Sequence, residues 1–172
     1  MAFNRNLLAT AAAIVLLVLS APSDQAEAVP PETGVWSVGA SAGVIGDTPE
    51  DTAFALNLQA DNFLNQDFSL GPLLQLGVTS GMIQLGLSGQ AKYWMDLHIP
   101  NRDAKLVLQG GLGFLHSKGD TSWLLPFGIG VDYPVDRKMS LMATFLLNFT
   151  GVDAGLGNGT HLMPSITVGV RF

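Results

Sequence analysis

Cysteine is absent from the 172 residues, which excludes disulfides and every metal site built on thiolates. Charge is scarce as well. Asp, Glu, Lys and Arg make up 13% of the chain, against about 25% in soluble domains. The basic sign is the rarer one: 8 Lys and Arg face 14 Asp and Glu, with no Lys/Arg cluster. That balance excludes a nucleic-acid partner. After Leu19 no apolar run reaches the about 20 residues that a transmembrane helix requires. Low charge without a helical span is the composition of a sheet that shows lipid on every second residue.

The chain is long enough for one domain. Residues 1–28 read as an export signal that is removed. Arg5 precedes an apolar run from Leu7 to Leu19, Pro22 ends any helix, and Ala26-Glu27-Ala28 supplies the small-x-small pattern of a cleavage site. The run is too short for the rival reading, a membrane-spanning helix. Cleavage after Ala28 leaves 29–172 as the mature domain. Removing Arg5, Asp24 and Glu27 moves the net charge from −6 to about −5.

Period-2 alternation then runs through most of the mature chain. It is clearest over Met139–Phe149, where Met139, Leu141, Ala143, Phe145, Leu147 and Phe149 oppose Ser140, Met142, Thr144, Leu146 and Asn148. About this length is needed for a tilted strand to cross a bilayer. The same pattern predicts strands over Trp36–Val44, Ala53–Asp61, Leu70–Thr79, Ile83–Trp94, Lys105–Phe114, Leu124–Tyr133 and Ser165–Phe172. Pro72 would interrupt a ladder bond in the third. The total is eight, an even number as expected of a barrel with both termini on one side of the membrane.

Alternation alone does not say which face is outside. A soluble eight-stranded barrel, such as a lipocalin-like binder, would turn its apolar face inward and show water a surface dense in charge. Here the polar face holds mostly Gly, Ser, Thr, Asn and Gln, with isolated charges at Asp61, Lys92, Lys105, Asp132 and Arg171. Small residues and a few charges suit the cramped interior of an eight-stranded barrel, and glycine lets strands curl tightly. Trp36, Tyr93, Phe114, Trp123, Tyr133 and Phe149 fall near strand ends, as interfacial girdles would. The expected fold is therefore all-β: an eight-stranded antiparallel up-and-down transmembrane β-barrel. Buried charges need partners, so at least one Asp–Lys/Arg pair is expected inside, plugging a lumen too narrow for an aqueous channel.

With a periplasmic N-terminus, the periplasmic turns fall at 62–67, 96–104 and 134–138. The outward loops fall at 46–50, 80–81, 117–122 and 151–164. Three of these four are short, and the last is rich in Gly and Asn.

The ending Met163-Pro164-Ser165-Ile166-Thr167-Val168-Gly169-Val170-Arg171-Phe172 resembles the C-terminal assembly signal of outer-membrane proteins. The resemblance implies that the β-barrel assembly machinery recognises Ile166, Val168, Val170 and Phe172. The mature chain as a whole resembles the small eight-stranded group typified by the OmpA membrane domain and OmpX, in strand count, turn lengths and ending. It implies insertion in the bacterial outer membrane, with lipid and lipopolysaccharide as surroundings. No internal motif matches, so no specific activity is carried over.

Some eight-stranded barrels are hydrolases that modify lipid A, and the deacylase group among them uses a His–Ser pair in one strand plus a carboxylate. His116-Ser117 is the sole such adjacency here. It departs from that group's pattern, in which a residue separates the histidine from the serine and an Asn follows. Adjacent strand residues also point to opposite faces, so His116 is poorly placed to activate Ser117. His98 and His161 fall in connections on opposite sides of the membrane, and no two histidines have chelating spacing. Asp47, Glu50, Asp51 and Asp120 sit in outward loops, where acids attract Ca²⁺ or remain solvated. Asn148-Phe149-Thr150 and Asn158-Gly159-Thr160 match the glycosylation sequon by coincidence of three residues. No catalytic residue, metal or cofactor is expected. The remaining candidate contact surface is the loop 151–164, since partners are usually met by loops on a rigid scaffold.

Overall fold

The computed structural model describes residues 33–99, 102–136, 138–153 and 159–172. The export signal read over 1–28 lies outside the described residues. Eight strands follow one another: β1 (Trp36–Thr48), β2 (Asp51–Asn65), β3 (Phe68–Val78), β4 (Ile83–Ile99), β5 (Arg102–Ser117), β6 (Asp120–Pro134), β7 (Ser140–Thr150) and β8 (His161–Arg171). Each pairs antiparallel with the next, and β8 returns to β1 from Gly39↔Arg171 to Ile45↔Ser165. The sheet is a closed barrel, so every strand has two neighbours.

The period-2 pattern maps directly onto the wall. Leu56, Leu58, Leu85, Leu87, Leu112, Phe114, Phe127 and Ile129 face outward and are exposed. Ser69, Gln84, Ser88, Gln90, Asn148 and Thr167 face inward and are buried. Leu112 is 72% exposed. An apolar belt on this scale is untenable in water, where each such side chain left unburied forgoes about 1.5–3 kcal/mol; surrounded by lipid it costs nothing. The belt overturns the lipocalin-like alternative and makes this a transmembrane barrel. Trp36 and Tyr93 stand exposed toward the end that carries the termini, and Phe114 faces Trp123 near the other. Tyr133, expected in the same girdle, is 5% exposed.

The strands run longer than their apolar patterns because the connections are tight. Between β5 and β6 only Lys118 and Gly119 remain, at φ 48° and 83°; two positive φ values make the type I′ turn whose twist matches paired strands. Asp47 and Asp51 also have positive φ, beside a register shift between Ile45 and Thr48. β8 begins at His161, so Pro164 lies within the strand, opposite Leu147. The expected loop 151–164 is thereby shortened to residues 151–160, of which 154–158 lie outside the described residues. The β2–β3 ladder lacks pairs between Gln59↔Leu73 and Asn62↔Leu70, flanking Pro72. The β5–β6 ladder has the same gap beside Pro126, with register kept. Both follow from the missing proline N–H.

Candidate functional site

Three layers fill the lumen. Toward the loop end, Ile45, Ala53, Ala55, Leu115, Leu124, Val152 and Met163 form an apolar plug. Toward the turn end, Phe63, Trp94 and Val107 form a smaller one. Polar side chains lie between. Lys92 Nζ stands 3.0 Å from Asp61 Oδ2, the two side chains 2% and 1% exposed. Arg171 donates to Asp132 through Nε and Nη2, each at 2.8 Å, the bidentate fork that fixes orientation as well as charge. Its Nη1 and Nη2 also reach Ser37 Oγ at 3.2 Å and Ser140 Oγ at 3.3 Å. The guanidinium lies 5.0 Å from the Trp94 ring centre and 5.9 Å from that of Phe63, within cation–π range. Trp94 Nε1 in turn donates to Ser69 Oγ at 2.9 Å. One side chain from β8 thus ties β1, β6 and β7 together across the interior.

Higher up, Gln75 Nε2 donates to Asn148 Oδ1 at 3.3 Å, and Asn148 Nδ2 to the Met163 carbonyl at 3.1 Å. Gln84, whose Oε1 has no protein partner, lines a void of about 10 Å³ with Asn57 and Ser165. A second void of the same size borders Lys92 and Asp132. Each has room for about one water molecule. Neither is a ligand cavity.

Lys105 departs from the other four lumenal charges. Its parity is inward, yet it pairs at 3.0 Å with Asp96, which is 65% exposed. The reason is that β4 and β5 outrun their neighbours at the turn end, carrying Lys105 to the mouth of the barrel.

His116 and Ser117 lie on opposite faces. Ser117 is fully buried and donates to Met82 Sδ at 3.0 Å, while His116 Nδ1 lies 2.7 Å from Thr121 Oγ1 on the outer face. No shared substrate position exists for the pair. Two of the loop acids, Glu50 and Asp120, reach across to neighbouring connections. Glu50 Oε1 meets Lys118 Nζ at 2.9 Å, and Glu50 Oε2 accepts from Thr79 Oγ1 at 2.6 Å. Asp120 Oδ2 accepts from the Asp153 N–H at 2.8 Å. Four connections are laced together in this way, and sequence reading missed the lacing because its members lie in different loops. Among the described residues no three His, Asp or Glu side chains gather as metal ligands. The Glu50 carboxyl is held below its ordinary pKa, chiefly by the Thr79 hydroxyl and then by Lys118. Along β8, Ile166, Val168 and Val170, with Phe172 just after the strand, alternate with the inward Ser165, Thr167, Gly169 and Arg171.

No protein-family model matches the chain, and no curated protein matches it in sequence. Solved structures do match in fold. Neisserial surface protein A superposes with a TM-score of 0.64 at 20% identity, over 79% of this chain and 95% of that one. The N-terminal β-barrel domain of Pseudomonas aeruginosa OprF gives 0.55 at 17% identity, over 79% and 97%. At such identities the likeness is one of fold: the chain has the architecture of the small eight-stranded outer-membrane barrels.

Proposed function

We propose that the protein is a non-enzymatic integral component of the bacterial outer membrane, its N-terminus periplasmic, with a structural or surface-interaction role at its loop end. The observation that carries this reading is the pairing of an apolar exterior with a lumen filled from end to end by side chains. Such a body neither conducts nor holds a substrate. What it offers the outside is the rigid rim formed by Glu50, Thr79, Lys118, Asp120 and Asp153. Lipid and lipopolysaccharide surround the belt, and residues 151–160, the longest outward connection, are the contact surface for a partner. In this reading the assembly machinery recognises Ile166, Val168 and Val170 on the outward side of β8, together with Phe172 after it.

The test begins with outer-membrane fractions run boiled and unboiled on a denaturing gel. A closed barrel resists detergent until heated, since no edge is free to fray along its wall, so a heat-dependent shift is expected. The lack of cysteine then allows orientation to be read cleanly. Ser80→Cys should react with a membrane-impermeant maleimide on intact cells, and Asp67→Cys only after the outer membrane is opened. The opposite labelling pattern would invert the orientation. A soluble periplasmic protein without a heat shift would refute the membrane reading altogether. The lipid A hydrolase alternative has the geometry of His116 and Ser117 against it; Ser117→Ala should leave lipid A acylation unchanged.

A further inference from the structure

Seven of the eight ladders join consecutive strands, where the connection limits the register. The eighth, between β1 and β8, joins the two ends of the barrel and has no turn to set it. Its outward row does not set it either. Ala40, Ala42 and Val44 stand beside Val170, Val168 and Ile166. A slip of one residue would turn every side chain to the wrong face, but a slip of two keeps each on its own. Small apolar residues would then lie side by side as before, and lipid would not distinguish the two arrangements. Yet the stagger of the whole ring would differ.

The inward row carries more information. Val38 and Phe172 exchange two main-chain bonds, at 2.9 and 2.8 Å. Bonded and unbonded pairs alternate along an antiparallel ladder, and the unbonded ones approach more closely. Gly39↔Arg171, Ser41↔Gly169 and Gly43↔Thr167 are therefore the close pairs, and each contains one glycine. A Cβ on Gly43 would run into the main chain at Ile166 and Thr167, and one on Gly169 into that at Ala40 and Ser41. The spacing holds one inward side chain per pair. A slip that brings Ala40 opposite Val168 would set Ser41 against Thr167. The opposite slip would set Ser41 against Arg171. A latch adds to this fit. Asp132 and Ser140 hold the Arg171 guanidinium from β6 and β7. Arg171 Nη1 donates to Ser37 Oγ at 3.2 Å, and Ser37 Oγ donates to the main-chain oxygen of Phe172 at 2.8 Å. One β1 hydroxyl thus meets two consecutive residues of β8, and a slip of two would carry it about 7 Å along that strand.

We infer that the inward face of the β1–β8 seam selects the register in which the barrel closes, through one glycine per close pair and the latch of Arg171, Ser37 and Phe172. Asp132 and Ser140 fix the guanidinium on the β6–β7–β8 side, so β8 presents a set target when β1 arrives. The outward row lets β1 slide along β8 in steps of two with its apolar face kept in lipid. The glycine pattern and Ser37 stop it at one position. The choice of register resides in the chain and not in the machinery that inserts it.

Because the chain has no cysteine, the register can be read by disulfide cross-linking. Directly opposite residues of a bonded pair lie about 5.5 Å apart, within disulfide reach, and diagonal ones about 7–8 Å apart, outside it. Ala40→Cys/Val170→Cys therefore reports the native register, and Ala40→Cys/Val168→Cys the slipped one. The heat-shifted band, oxidised with copper phenanthroline, is compared in outer membranes and after refolding into vesicles of outer-membrane lipid without the machinery. The native cross-link should exceed the slipped one at least tenfold in both. A slipped product found only after refolding would transfer the choice to the machinery and overturn the inference. Ser37→Ala/Ser41→Gly then removes the latch and empties the blocked pair by two small changes. It should raise the 40–168 cross-link at least tenfold over the otherwise unsubstituted chain, while either change alone keeps the native cross-link dominant. A folded double variant that cross-links at 40–170 alone would overturn the inference. Loss of the heat-shifted band in the double variant, with both single variants folded, would overturn it too, since the two features would then stabilise the seam without selecting its register.

Discussion

Asp132 and Arg171 meet in a largely enclosed space, their side chains 4% and 16% exposed, so each depends on the other. Removing one partner of a buried pair typically costs about 3–5 kcal/mol, because a desolvated charge is left without compensation. Asp132→Ala should therefore destabilise the barrel by about that much in urea titrations in detergent micelles. Arg171→Met should do so too, and would also release Ser37, Ser140 and the Trp94 face. The double variant should lose clearly less than the two single losses combined; full additivity would show that the pair does not interact. At the rim, Glu50 carries a different expectation. Its folded pKa lies below the ordinary 4.5, so the stabilisation from its links to Thr79 and Lys118 is complete above that value. It is lost as pH falls through the depressed one. The Thr79 resonances in a micelle NMR titration should report a midpoint below 4.5, and Lys118→Ala should move that midpoint upward. A Thr79 signal unchanged across the acid range would remove the link.

Strands in a narrow barrel bend so sharply that neighbouring backbones come close on the inside. At the β1–β8 seam two glycines make this possible. A Cβ on Gly43 would strike the Ile166 carbonyl oxygen, and one on Gly169 the Ala40 carbonyl oxygen and Ser41 Cα. Backbone atoms of paired strands cannot give way without losing the ladder. Gly43→Ala and Gly169→Ala should therefore lower the heat-resistant fraction on refolding, with closure as the step that fails. Gly89→Ala is the control, since its Cβ would point outward into open space and should leave that fraction unchanged. Equal behaviour of all three would mean that the seam tolerates a wider approach. The prolines mark the same economy from the other side: Pro72 and Pro126 each interrupt one ladder without shifting register.

As a whole the molecule is a cylinder turned inside out relative to a soluble domain, with polar groups and two ion pairs along the axis and an apolar belt facing lipid. Two apolar layers close the axis above and below the ion pairs. The voids between them admit about one water each. In planar bilayers the purified protein should show no steady ohmic channel, and vesicles containing it should not swell in isotonic small sugar. A reproducible open state would mean that the lumenal pairs part far more readily than their burial implies.

The strand number and the outward face could be read from the amino-acid order alone, because a period of two converts directly into inside and outside. The scarcity of charge and the small residues on the polar face then decide which side is lipid. The inward positions of Asp61, Lys92, Asp132 and Arg171 follow from the same parity. Which charge meets which does not. Arg171 reaches Asp132 across β7, and Lys92 reaches Asp61 across β3, because register and closure bring those heights together. Lys105 has the parity of the others but pairs with Asp96 at the mouth, since β4 and β5 outrun the wall. Glu50 finds Lys118 for a similar reason, through hairpins distant in sequence. Local alternation determines the direction in which a side chain points; only the closed sheet decides what it meets there, because stagger between strands is a property of the whole ring.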